Sequence, residues 1–299
     1  MVTRVEKKGS LEDFLIGKIK ESGYPLEIEI SNLLEEDYVV LNNAPYVDTE
    51  TNQSRNIDIH AMPLDGKEKY YEKRIAPFIL RTEIAIECKK SDTHAWVFFT
   101  RPCYMGGAEI DGEFKSSVPK TKPFTDSFEW LLLQTHHFHH SMFERIAISY
   151  DEIKKKRDGS QRKEIFEAVQ QLVKFTSYEI HESLLRRSKL PDLNPEEELI
   201  FYLFPVLVFE GDMFEVTFDS GEPKLRKQNH IILDTSYRCP YYEEHEGFII
   251  DVVHRTYFKQ FMEILEADFQ RLRKAIVKNR DELLMKAKED KIKNKTDLG

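Results

Sequence analysis

Read from the N-terminus, the apolar positions change period several times, and each change marks an element. Ser10 stands three residues before Asp13 and precedes Phe14, Leu15 and Ile19, a capping-box start to an amphipathic helix that stops at Gly23. Pro25 suits the first turn of a second helix, where its missing N–H has no intrahelical partner to lose. Leu26, Ile30, Leu33 and Leu34 then fall at i, i+4, i+7 and i+8, one stripe ending near Asp37. From there the period drops to two. Tyr38 to Leu41, Ile57 to Ala61, Glu83 to Lys89 and Trp96 to Thr100 read as strands, with TETNQS, residues 49–54, as the loop between the first two. A flexible loop with Gly106, Gly107, Gly112, Pro119 and Pro123 is expected next. Asp126 to about Arg187 reads as helical, two helices flanking the exposed basic turn KKKRDGSQRK at residues 154–163, and Pro191 and Pro195 close the region. Strands return at Phe204 to Phe209, Phe214 to Phe218, Ile231 to Leu233 and Phe248 to Val253. Tyr257 to about Lys291 reads as a long charged helix with a stripe through Phe258, Phe261, Ile264, Leu265, Phe269 and Leu272.

Composition narrows the class. With 299 residues, 40% hydrophobic and 32% charged, the chain can bury a sizeable core and carries a heavily charged surface. The longest apolar run, Leu199 to Phe209, is interrupted by Pro205 and falls well short of the about 20 residues that span a membrane. No apolar stretch follows the basic N-terminus, so a cytoplasmic protein without membrane attachment is expected. Three cysteines, Cys88, Cys103 and Cys239, show neither CxxC nor finger spacing and are read as reduced thiols. A net charge of -9 argues against coating of nucleic acid by the whole surface and leaves a local basic face as the alternative.

The candidate chemistry lies in two strands. In EIAIECKKS, alternation puts Glu87 and Lys89 on one face and Ile84, Ile86 and Cys88 on the other. In NIDIHA, Asp58 interrupts an apolar strand between Ile57 and Ile59. Two carboxylates converging on a hard cation would hold Mg²⁺, with waters completing its octahedron. That is the chemistry of phosphodiester hydrolysis.

With Asp58, Glu87 and Lys89 as its signature, the sequence resembles the PD-(D/E)xK, or restriction-endonuclease-like, nuclease superfamily, in particular its Mrr-type branch. LEIEISNLL, residues 26–34, looks like the family's early helix, with Glu27 as the helix acid and Glu29 as its rival; Ile57 stands where the family has proline. The order helix, strand, strand, strand, helix, strand fits residues 25–209. The resemblance implies one α/β domain over residues 1–299: a restriction-endonuclease-like core at 10–105, in which helices flank a central mixed sheet, then a helical insertion at about 126–190, and extra closing strands with a long C-terminal helix at about 200–292. It also implies a Mg²⁺-dependent endonuclease, with Mn²⁺ as substitute, acting on DNA in restriction, phage defence or repair. Asp58, Glu87, the Cys88 backbone carbonyl and Glu27, the last through water, would hold the metal, and Lys89 would position or deprotonate the attacking water. RNA cleavage and a scaffold without turnover are the competing readings, and a homodimer or a separate partner chain would be compatible with each.

DNA would need basic contacts. The candidates are Lys90, Arg101, Lys115, Lys120 and Lys122, with Lys154, Lys155, Lys156, Arg157, Arg162 and Lys163 around the basic turn. THHFHH, residues 135–140, places His136 and His140 at helical i, i+4 spacing, but no HExxH glutamate accompanies them. A structural or phosphate-contacting role is therefore expected ahead of a zinc site, and no separate roles are assigned to His137 and His139. Alternation sends the Cys88 side chain into the core rather than toward the acids.

Overall fold

The computed structural model describes residues 10–64, 73–75, 78–103, 138–155, 163–187, 198–237 and 246–285. Helix α1 (Leu11–Glu21) opens with the expected capping box: the Ser10 hydroxyl accepts the Asp13 N–H at 3.1 Å, and the Asp13 carboxylate accepts the Ser10 N–H at 3.0 Å. Helix α2 (Tyr24–Leu34) carries Pro25 in its first turn and buries Leu26, Ile30 and Leu34, whereas Leu33 stays exposed. Helices α3 (Glu164–Arg187) and α4 (Phe258–Lys278) follow later in the chain.

Among the described residues nine strands form one mixed sheet: β1 (Tyr38–Asp48), β2 (Gln53–Pro63), β3 (Lys73–Ile75), β4 (Phe78–Pro102), β5 (Arg145–Lys154), β6 (Glu198–Asp219), β7 (Glu222–Lys227), β8 (His230–Tyr237) and β9 (Glu246–His254). β1, β2 and β4 pair antiparallel in that order, and β4 runs parallel to β6. The pairings then close a circuit, β4 to β5 to β8 to β9 to β6 and back to β4, with β5 and β8 joined through Ala147 and Leu233.

Four of the expected short strands are halves of two long ones. Glu83 to Lys89 and Trp96 to Thr100 both belong to β4, and Phe204 to Phe209 and Phe214 to Phe218 both belong to β6. The polar breaks between these halves lie face to face as a register shift between Ser91 and Ala95, with Gly211 opposite Ser91. A side chain at Gly211 would come 2.6 Å from the Ser91 carbonyl oxygen and 2.5 Å from the Phe209 ring, so the close approach of the two strands requires glycine. Pro205, in the same strand, sits one residue before the β6–β9 pairing begins at Val206.

The expectation of an all-helical stretch from about 126 to 190 is corrected. Residues 145–154 form β5, and α3 begins only at Glu164. Ile146 and Ala147 are buried between β4 on one side and β8 on the other, so tertiary pairing decided a segment whose pattern had suggested a helix. The turn Phe138–Met142 is 3-10, so the helical spacing expected of His136 and His140 does not hold at His140; His136 and His137 lie outside the described residues. The expected loop with Gly106 to Pro123 lies outside them as well.

Helices cover both faces of the sheet. α2 and α4 pack on one face over Ile59, Ile84, Ile86, Phe204 and Val206. α3 packs on the other, where Trp96 and Phe209 stack with ring centroids 3.8 Å apart. No helix of the described residues is long and apolar enough to cross a membrane.

Candidate active site

β2 and β4 pair only through Ile59–Ile86, His60–Ala85 and Ala61–Ile84, and then part. The next residue outward on each strand is Asp58 on β2 and Glu87 on β4. Across from Asp58 on β1, Asn43 adopts a left-handed conformation with φ of 52°, one that asparagine tolerates better than most side chains. The apolar side chains change faces at this point. Val40 and Ile59 pack toward α2 and α4, whereas Ala44, Tyr46 and Ile57 pack toward α3. Asp58 therefore interrupts an apolar strand because it occupies the crossover between two cores.

The gap is filled by side chains. The Asp58 carboxylate accepts the Cys88 backbone N–H at 2.8 Å, and the Lys89 ammonium donates to Glu87 Oε1 at 2.5 Å. Glu87 is fully buried, and its second oxygen, Oε2, has no hydrogen-bond partner. Glu27 on α2 completes the group: it is half-buried and feels the charges of both Asp58 and Lys89. Glu29, the rival helix acid, is turned away and binds the Arg255 guanidinium, with Nε 2.8 Å from its carboxylate.

The charges reinforce one another's abnormal state. Burial, then the Asp58 charge, pushes Glu87 up to about 8 against the pull of Lys89. Asp58 is raised by burial, which outweighs the Lys89 charge and the Cys88 amide; Glu27 is raised by burial and by Asp58. Burial alone would lower the Lys89 ammonium, but Glu87 and Asp58 outweigh it and hold it charged. Three carboxylates thus face one ammonium in a partly dry gap. The donors are oxygens, the choice of a hard divalent cation, but among the described residues Glu27, Asp58 and Glu87 do not bring one ligand atom each within 4.8 Å of one another. The Cys88 thiol lies in the α2/α4 core, pushed well up first by burial and then by the acids, which removes it as a nucleophile.

The expected basic contacts are spread out. Lys90 pairs with Glu210 at 3.3 Å, Lys155 with Asp212 at 2.8 Å, and Arg101 lies 3.9 Å from Asp234. Lys154 pairs across from His94 at the end of β5, and Lys163 is exposed just before α3. Lys115, Lys120, Lys122, Lys156, Arg157 and Arg162 lie outside the described residues.

A second cluster was not assembled from the sequence. His139 and His140, on the 3-10 turn, meet Asp251 of β9 and Asp268 of α4, all buried. Among the described residues this is where three His, Cys, Asp or Glu donors, His139, His140 and Asp251, all lie within 4.8 Å of one another. The histidine-rich run was the visible signal. Its carboxylate partner stands 111 residues beyond His140 in an otherwise apolar strand, and only the sheet brings it there.

Set beside protein-family models, curated proteins and solved structures, the chain matches none of them.

Proposed function

We propose that the protein is a metal-dependent endonuclease that hydrolyses nucleic-acid phosphodiester bonds, DNA foremost. The observation that carries this reading is Glu87, a fully buried carboxylate with one oxygen unpartnered, beside Asp58 and Lys89 in the gap where β2 leaves β4. A buried carboxyl group with one oxygen left without a partner is costly, and a ligand that completes it is the economical explanation. The order α2, β1, β2, β4, α3, β6 agrees with the order that the resemblance implies once β3 and β5, which come before and after β4, are set aside as additions.

In this reading Asp58, Glu87 and the Cys88 carbonyl would hold Mg²⁺, with Glu27 contributing through a water. When bound, the cation polarises the phosphoryl oxygen and offsets the charge that develops on the phosphate. Asp58, fixed by the Cys88 amide, keeps its carboxylate oriented without help from solvent. Lys89 stays protonated under the influence of Glu87 and Asp58, which suits it to orient the attacking water and donate to the phosphate oxygens rather than to serve as the base. Glu27, raised by burial and by Asp58, would accept the proton of that water.

The test is incubation of the purified chain with plasmid DNA, oligonucleotides and RNA in Mg²⁺, Mn²⁺ or EDTA. Cleavage that needs the divalent ion and is lost in Asp58→Asn supports the reading. Absence of cleavage on every substrate moves the scaffold interpretation ahead of it.

A further inference from the structure

The geometry points to a second metal site, independent of the nuclease reading: a buried transition-metal centre of the zinc class, ligated by His139 Nε2, His140 Nε2 and the Asp251 carboxylate. The three donors lie within 4.8 Å of one another. His139 Nε2 is 3.1 Å from Asp251 Oδ1, and His140 Nε2 is 3.0 Å and 3.2 Å from the two Asp251 oxygens. A tetrahedron of zinc–nitrogen and zinc–oxygen bonds near 2.1 Å has edges of about 3.4 Å, a few tenths of an ångström longer than these separations.

Proton accounting leaves two states for His139, an imidazolium that donates to both carboxylates or a neutral ring with a metal on Nε2. Both ring nitrogens of His139 face carboxylate oxygens, Nδ1 toward Asp268 at 2.5 Å and Nε2 toward Asp251. A neutral imidazole has one N–H. If that proton sits on Nδ1, where the contact is shorter, the Nε2 lone pair points at a carboxylate oxygen, an arrangement that is favourable when a cation lies between them. A carboxylate on the far nitrogen is the usual outer partner of a metal-bound histidine, fixing its tautomer and orientation. Asp268 fills that role and is fixed in turn by the His139 backbone N–H and by Arg271, at 3.1 and 2.8 Å. His230 Nε2, 2.8 Å from Asp251 Oδ1, steadies the third ligand.

The site differs from the candidate active site in place and in chemistry. Asp251 pairs with Val206, which pairs with Ile86, so it stands two strands away from the β4 acids, about 10 Å at ordinary strand spacing. Imidazole donors select zinc-class ions, whereas Mg²⁺ prefers oxygen. With its three ligands nearly inaccessible to solvent, the metal would fasten the 3-10 turn to β9 and, through Asp268, to α4.

The experiment uses the full chain, stripped with a chelator and reloaded. Zn²⁺ should bind at one ion per chain in competition with a chromophoric chelator, should not be displaced by Mg²⁺, and should raise the thermal midpoint. Co²⁺ in its place should give the ligand-field absorption of a low-coordinate nitrogen and oxygen set. His140→Ala and Asp251→Asn should lose the ion, Asp268→Asn should weaken binding about 10- to 100-fold as outer-partner changes do, and Asp58→Asn should bind Zn²⁺ as wild type does. If a ligand variant does not fold, the Co²⁺ spectrum and Zn²⁺ stoichiometry of the wild type decide. A stripped wild type that is folded by circular dichroism yet takes up neither ion overturns the site, and leaves His139 as an imidazolium between two carboxylates. Folded ligand variants that bind Zn²⁺ as tightly as wild type would also overturn it.

Discussion

Asp58 on β2 accepts the backbone N–H of Cys88 on β4, 30 residues further along the chain, at the point where the two strands stop pairing. One carboxylate thus ends a ladder and, in the proposed site, ligates a cation. The two roles separate by substitution. Asp58→Asn keeps an acceptor for the amide and should keep the thermal midpoint near wild type while cleavage falls steeply. Asp58→Ala leaves a buried donor unmet and should also lose about 1–3 kcal/mol of stability. Urea denaturation beside the nuclease assay reads both, and equal stability of the two variants would count against the structural role.

Lys89 donates to Glu87 and stays charged between two acids. Lys89→Met should lower cleavage by about 10² to 10⁴, the scale of a positioned proton-transfer or charge-stabilising group, while calorimetric Mg²⁺ affinity stays near wild type or tightens. A variant that cleaves normally would remove Lys89 from the mechanism.

Glu27 and Glu29 are two residues apart on α2, yet they engage different neighbours, Asp58 and Lys89 for one and Arg255 for the other. Glu27→Gln should slow cleavage at least tenfold. Glu29→Gln should leave the rate unchanged and cost about 0–1 kcal/mol, because it breaks an ion pair that solvent still reaches. Equal rates in the two variants would dissolve the distinction.

At the far end of β1, Asp48 and Glu50 both hold Lys174 of α3, with Lys174 Nζ 3.0 Å from Asp48. Burial would raise the Asp48 carboxyl, but Lys174 and the Glu50 and Thr51 amides outweigh it and hold it below the ordinary range. A depressed folded-state pKa stabilises the fold above the unfolded value, near 3.9, and that contribution is lost as pH falls through the folded value. Asp48→Asn should therefore cost about 1 kcal/mol at neutral pH and flatten the loss of stability in the acid range. Denaturant midpoints measured from neutral pH down to below pH 4 check both.

Local patterning determined much of this protein. The Ser10–Asp13 capping box, Pro25, and the stripes of α2 and α4 depend on neighbours within a turn or two, so their spacing sufficed to read them. Alternation likewise placed the strand cores, put Glu87 and Lys89 on one face and buried the Cys88 thiol. What the sequence could not decide was set by partners far away in the chain. Residues 145–154 became a strand because β4 and β8 offered hydrogen bonds on either side, and two pairs of short strands fused because Gly211 let β4 and β6 approach across their polar breaks. Glu27 and Glu29, nearly equivalent on a helical wheel, take different neighbours, Asp58 for one and Arg255 for the other. Asp251 joined His139 and His140 only through the order of strands in the sheet. Periodicity is a property of adjacent residues, whereas a site is made of residues that the sheet brings together, and no local spacing encodes which strand lies next to which.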